Sequence, residues 1–186
     1  VPFERLDRHG FFPGIRLTVK RALLHPALFF RAMPLTGLGR PLAFYVLLFE
    51  FSLVLDVLWA KAGLPPVSRL HPGLDPGLGH PVDPLSLFVA MPMMAALVSL
   101  ATSAVVHMVL RLLRSGERGF EATYRATAYS NAALIVSVVP YGYLAGILWG
   151  FIVFVIGLKN IHRTSTTKVA LAFAVILGLQ VLLALW

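Results

Sequence analysis

A chain of 186 residues that is 58% hydrophobic and only 13% charged, with a mean hydropathy of +0.82, carries more apolar surface than a water-soluble domain of its size can bury. Its class is integral membrane protein. Sixteen Lys and Arg against eight Asp and Glu leave a net charge of +8, which in such a chain expresses topology and affinity for anionic lipid headgroups and excludes nucleic acid as partner. No cysteine occurs, so disulfides and thiolate chemistry are excluded as well.

Two regions follow in chain order: a cytoplasmic basic amphipathic segment over 1–37 and a transmembrane domain over 38–186. In "FFPGIRLTVKRALLHPALFFRAMP", Phe12, Ile15, Val19, Ala22 and Leu23 recur at helical spacing, interrupted by Arg16, Lys20 and Arg21. This pattern predicts a helix lying flat in the cytoplasmic headgroup layer, broken at Pro26. The chain opens on Val1, which predicts a trimmed start. Its first apolar run stands behind basic sequence, so no cleaved signal peptide is expected.

Five apolar runs are long enough to cross about 30 Å of hydrocarbon: Arg40–Ala60, Leu85–Leu113, Phe120–Val139, Tyr141–Ile161 and Lys168–Trp186. The stretch "KAGLPPVSRLHPGLDPGLGHPVDP" between the first two is too rich in proline and glycine for a regular helix and reads as a solvated loop. The short turn "PYGY" at Pro140–Tyr143 makes the third and fourth runs an antiparallel hairpin. Threading five spans puts fourteen basic residues on one side and two, Lys61 and Arg69, on the other. That asymmetry predicts a cytoplasmic N-terminus and an external C-terminus.

The third run has a polar head. Glu121 and Arg125 stand four apart and pair on one face, and Tyr124 and Tyr129 suit an interfacial aromatic belt. With Tyr124 and Ala128, Asn131 forms a stripe that predicts an inward hydrogen-bonded seam. Arg111, Arg114, Arg118, Glu121, Tyr124, Arg125, Lys159 and Arg163 are expected on the cytoplasmic face. The fourth run carries Gly142, Gly146 and Gly150, continued by Gly157, a face on which another backbone packs closely. The second run offers Ala95, Ser99 and Ser103, with the two serines as packing residues, His107 at the same four-residue step, and Pro92 as a kink.

Glu50, Asp56, His107 and Asn131 are the intramembrane polar candidates. A charged carboxylate at the bilayer centre costs about 2.5 kcal/mol or more, so Glu50 requires a partner or a proton. Asn131, Tyr129 and the serines of the second run are the companions in reach of it. Asp56 lies near the outer end of its run, and His107 within one turn of Arg111 at the cytoplasmic interface. No catalytic site is predicted: "HExxH", "GxSxG" and a phosphate-cradling glycine loop are all absent. Ser99, Ser103 and His107 stack on one helix face, which is not the geometry of nucleophile, base and orienting group. His71, His80, Asp75 and Asp83 sit in a proline- and glycine-rich context that offers no preformed metal cage. Neither metal nor cofactor is expected.

The pieces "PALFFRAMP", "FEATYRATAYSNAAL", "VVPYGY" and "GLKNIHRTSTTKVALA", in that order, resemble the Yip family, the Ypt/Rab-interacting membrane proteins, in its short prokaryotic form. The resemblance covers nearly the whole chain and is most specific from Phe120 to Ala172. It implies five helices, a cytoplasmic N-terminus and self-association into a homo-oligomer. Eukaryotic members are linked to vesicle traffic and bind prenylated Rab-type GTPases. Their Asp-Leu-Tyr-Gly-Pro signature is missing here, the nearest acidic stretch being "LDVLWA". The expectation is therefore an all-α, five-span scaffold or adaptor of a bacterial cytoplasmic membrane. It is not an enzyme, and it organises lipids or a membrane or cytoplasmic protein partner. The rival expectation is a small transporter or ion-conducting oligomer using Glu50 and Asn131.

Overall fold

The computed structural model describes residues 1–63, 86–139 and 142–184. The stretch holding His71, Asp75, His80 and Asp83, and the start of the "PYGY" turn, lie outside the described residues. Among the described residues the chain is all-α with no strand. After a 3-10 turn at Pro2–Glu4 come α1 (Leu6–His9), α2 (Phe11–Leu24), α3 (Pro26–Arg31), α4 (Gly39–Lys61), α5 (Met91–Leu112), α6 (Gly119–Ser130), α7 (Gly142–His162) and α8 (Thr166–Ala184).

The N-terminal helices are amphipathic and docked. α2 buries Gly14, Thr18 and Ala22 and leaves Phe11, Phe12, Arg16, Lys20 and Arg21 exposed. Thr18 Oγ1 accepts the Phe3 N–H at 2.9 Å, and the Phe3 ring meets Phe44 of α4 edge-on at 5.3 Å. The polar interruption at His25 follows from Pro26, whose ring disfavours helical backbone in the residue before it and is accepted at the first position of α3.

Among the described residues three segments qualify as membrane spans by length and apolarity: Gly39–Trp59, Phe88–Leu112 and Leu144–His162. Thr166–Leu182 is a shorter apolar helix. A π-helical turn at Ser86–Ala90 leads into α5, with Pro92 in the first turn of that helix. Pro92 thus falls at the junction of the π-helical turn and α5, the first-turn position where a helix accepts proline.

The third apolar run is not one continuous α-helix. α6 passes into an eight-residue 3-10 stretch, Asn131–Val138, an unusual length for that geometry. Two features favour it: a run of β-branched residues, Ile135, Val136 and Val138, and an adjoining glycine face that admits its carbonyls. An added Cβ at Gly146 would lie 3.0 Å from Ala133 O, and one at Gly150 would lie 3.3 Å from Ala133 Cβ. At Gly142 it would collide with Val136 O. The glycine face of α7 therefore packs on the chain's own preceding segment.

α6 is the central helix. Ala122, Ala126 and Ala128 are fully buried, and Ala132 and Ala133 continue the small-residue surface. Small side chains let α4, α5, α7 and the N-terminal segment approach it closely. α8 closes the bundle through Phe173, whose ring meets Phe151 and Phe154 at 5.1 and 5.7 Å.

Candidate functional site

The polar head of α6 organises one end of the bundle, beginning with Arg125. Its side chain is 0% exposed. Its Nε donates to Glu121 Oε1 at 2.8 Å, and NH1 donates to Glu4 Oε1 at 2.6 Å. NH2 reaches Thr36 Oγ1 at 2.8 Å and the Gly37 carbonyl at 3.0 Å. Both carboxylates are held further. Glu4 accepts the Tyr129 hydroxyl at 2.5 Å and the Thr36 hydroxyl at 3.0 Å, and Glu121 accepts the Gly37 N–H at 2.7 Å. A buried ion pair is sound only when its remaining donors and acceptors are satisfied, and here they are shared among α6, the N-terminal turn and the 36–37 loop. Arg125 fastens the first 37 residues to the bundle.

The opposite side of α6 is bridged by a hydroxyl. Thr123 Oγ1 lies 2.9 Å from His107 Nδ1 on α5 and 2.9 Å from His162 Nε2 on α7. One hydroxyl donates only once, so at least one of the two imidazoles donates to it. The His162 Nδ1 atom is buried with no hydrogen-bond partner among the described residues. One turn along, Ser103 donates to Thr127 Oγ1 at 2.8 Å, and Ser99 meets the Tyr124 hydroxyl at 3.4 Å.

The same end gathers cations. α5 and α7 both finish with an arginine in left-handed backbone: Arg114 at φ 51° and Arg163 at φ 55°. The next residue then bonds back, Ser115 N to Leu110 O at 2.8 Å and Thr164 N to Lys159 O at 3.0 Å. That pattern satisfies the last carbonyls of a helix and normally employs glycine. Arg118 donates to Ile161 O at 3.2 Å, and Lys168 Nζ to Arg114 O at 3.3 Å, so these termini stand side by side. Between α3 and the end of α7 opens a cleft of about 370 Å³ lined by Arg31, Lys159, Asn160, Arg163 and Thr164.

The sequence-derived candidates distribute unevenly over this geometry. The Glu121–Arg125 pair is present, but Arg125 and Tyr124, expected on the cytoplasmic face, are fully buried, because residues 1–37 and α5 cover them. Arg111 and Arg114 are exposed. Glu50 and Asp56 are half-buried on α4. The companions considered for Glu50 have other partners: Asn131 bonds its own Thr127 carbonyl at 2.9 Å, Tyr129 bonds Glu4, and Ser99 and Ser103 bond their own helix and α6. His107, partly exposed, joins the threonine bridge. Gly157 receives the Phe30 ring, 3.0 Å from where a Cβ would stand. Glu4, Thr36, Thr123, His162 and Arg31 escaped the sequence reading. For His162 the quoted "GLKNIHRTSTTKVA" was a signal; for Glu4, 121 positions from Arg125, none existed.

No curated protein and no solved structure matches the chain. A family model described as the Yip1 domain matches residues 20–186. That match takes in the last turn of α2, α3, the arginine-centred knot's half on α6 and every apolar helix, so the chain belongs to the Yip family and is an integral membrane protein.

Proposed function

We propose that this protein is a non-catalytic membrane scaffold or adaptor that organises membrane proteins or lipids from its cytoplasmic end. The carrying observation is the burial of Arg125 between Glu4 and Glu121. A surface helix tethered by a loose linker would move independently of the bundle, whereas this one is hydrogen-bonded through Thr18 to the N-terminal turn, whose Glu4 shares a buried ion pair with the central helix. The amphipathic helix and the exposed Arg111, Arg114, Lys159 and Arg163 then present one continuous basic face. Five crossings fit this arrangement: α6 and its 3-10 extension together reach about 34 Å, against roughly 30 Å of hydrocarbon. On this reading the chain sits in a bacterial cytoplasmic membrane as a homo-oligomer, N-terminus inside and C-terminus outside.

A transport reading draws on Asn131, which lines a groove of about 240 Å³ between α6 and α7 together with Thr127, Ser130, Gly146 and Gly150. Glu50 is not among the residues lining it. Crosslinking in native membranes separates the two readings. Arg111→Glu with Arg114→Glu is expected to lose captured protein partners while the folded protein persists. An unchanged partner set, together with proteoliposome ion flux abolished by Glu50→Gln, would replace the scaffold with the transporter.

A further inference from the structure

The cleft between α3 and α7 is built by a missing side chain. Gly157 leaves room for the Phe30 ring, whose Cε2, Cζ and Cδ2 atoms lie 3.0, 3.1 and 3.2 Å from the position of an added Cβ. Phe30 is fully buried there. With Phe30 seated, its neighbour Arg31 is delivered to the cleft opposite Lys159 and Arg163. Three cations thus line one small cavity, with the Thr164 hydroxyl and the Asn160 amide, and no carboxylate is among its lining residues. The local acidic groups Glu4 and Glu121 are already engaged by Arg125.

Three like charges held this close repel one another, and a bound anion relieves that cost. Two guanidinium groups and an ammonium match the oxygens of a phosphate, with bidentate geometry available to each arginine. Arg163 ends α7 as Arg114 ends α5. It occupies left-handed backbone at φ 55°, where glycine would sit without strain. Strained backbone of this kind gathers at ligand sites.

The cleft also continues along an apolar path. On α7, Ile156 and Ile152 stand one and two turns before Asn160 on the same face, and Ile152 is exposed. On α3, Leu28 precedes Arg31 by three residues and is 70% exposed. A phosphate in the cleft with acyl chains along Leu28, Ile156 and Ile152 satisfies both surfaces, whereas a free anion uses only the first.

We infer that the Arg31–Lys159–Arg163 cleft binds the phosphate of an anionic glycerophospholipid. This rests on the reading that this end of the bundle lies at headgroup level, and requires no protein partner. The test uses the purified full chain in mild detergent, with lipid retention measured by native mass spectrometry. Dioleoyl phosphatidylglycerol is the probe, dioleoyl phosphatidylcholine the neutral comparison and inorganic phosphate the free anion. Wild type is expected to retain phosphatidylglycerol and not phosphatidylcholine, whose ammonium the cleft repels. Arg163→Gly should reduce retention about tenfold, the scale of one lost charge-assisted hydrogen bond, while its thermal unfolding midpoint holds or rises. Arg31→Gln combined with Lys159→Gln should reduce retention further.

Retention equal to wild type in Arg163→Gly and in the double variant would overturn the site. So would an equal loss on neutralising Arg16, Lys20 and Arg21 of α2, since binding would then be diffuse surface charge. Arg163-dependent stabilisation by inorganic phosphate, without any by the lipid, would overturn the lipid assignment. A partner set unchanged by Arg111→Glu with Arg114→Glu, alongside Arg163-dependent lipid retention, would remove the scaffold and leave the cleft standing; partner loss in that variant with lipid retention independent of Arg163 would do the reverse.

Discussion

Arg125 illustrates how one residue changes meaning with its surroundings. In sequence it is half of an i, i+4 pair, a contact worth about 0.2–0.5 kcal/mol on an isolated helix. In the fold it is buried, with two carboxylates, the Thr36 hydroxyl and the Gly37 carbonyl around it. Substituting Arg125→Met is therefore expected to strand Glu4 and Glu121 and to destabilise the protein by about 3–5 kcal/mol. The check is thermal unfolding in detergent. Adding Glu4→Gln to that variant should recover part of the loss, because one stranded charge disappears. A midpoint unchanged by Arg125→Met would mean that the knot contributes nothing to holding the fold. The surrounding Ala122, Ala126 and Ala128 are fully buried, and their small side chains let neighbouring segments approach α6 closely.

At the scale of elements, the contact between α7 and the 3-10 stretch Asn131–Val138 decides how the second half of the chain folds. Gly146 faces the Ala133 carbonyl at a distance that a Cβ barely tolerates. Gly146→Leu must push the two segments apart, and overpacking of this kind typically costs about 1–3 kcal/mol. Lower recovery of monodisperse protein and a lower unfolding midpoint are expected, with Gly178→Leu as a comparison. Gly178 has no atom near the site of an added Cβ among the described residues, so that variant should behave as wild type. Equal behaviour of the two variants would sink the close-packing account. α3 belongs to this scale too, since its seat on Gly157 joins the N-terminal segment to α7.

For the whole molecule, the proposed orientation rests on sorting the basic residues of the sequence to one side of the bilayer. The absence of cysteine makes single introduced thiols clean reporters. Ala62→Cys follows the end of α4, and Ser165→Cys lies in the turn between α7 and α8; both positions are exposed. In intact cells a membrane-impermeant maleimide should label Ala62→Cys and spare Ser165→Cys until the membrane is opened. Labelling of Ser165→Cys alone would invert the orientation. Labelling of both in intact cells would break the odd number of crossings between them.

The amino-acid sequence alone determined the class, the helical architecture, the positions of α4, α5, α7 and α8 and the family. Each follows from runs of apolar residues or from local motifs, whose information lies within about 20 neighbouring positions. It also placed the glycine face and the Glu121–Arg125 pair, both short-range patterns. The tertiary structure decided that Arg125 is buried, that His107 and His162 share Thr123 across three helices, and that the third apolar run changes from α to 3-10 geometry at Asn131. It alone set Arg31 beside Arg163. These outcomes depend on groups distant in the chain meeting where water is excluded, and a polar side chain reads the same in sequence whether solvent or a partner satisfies it.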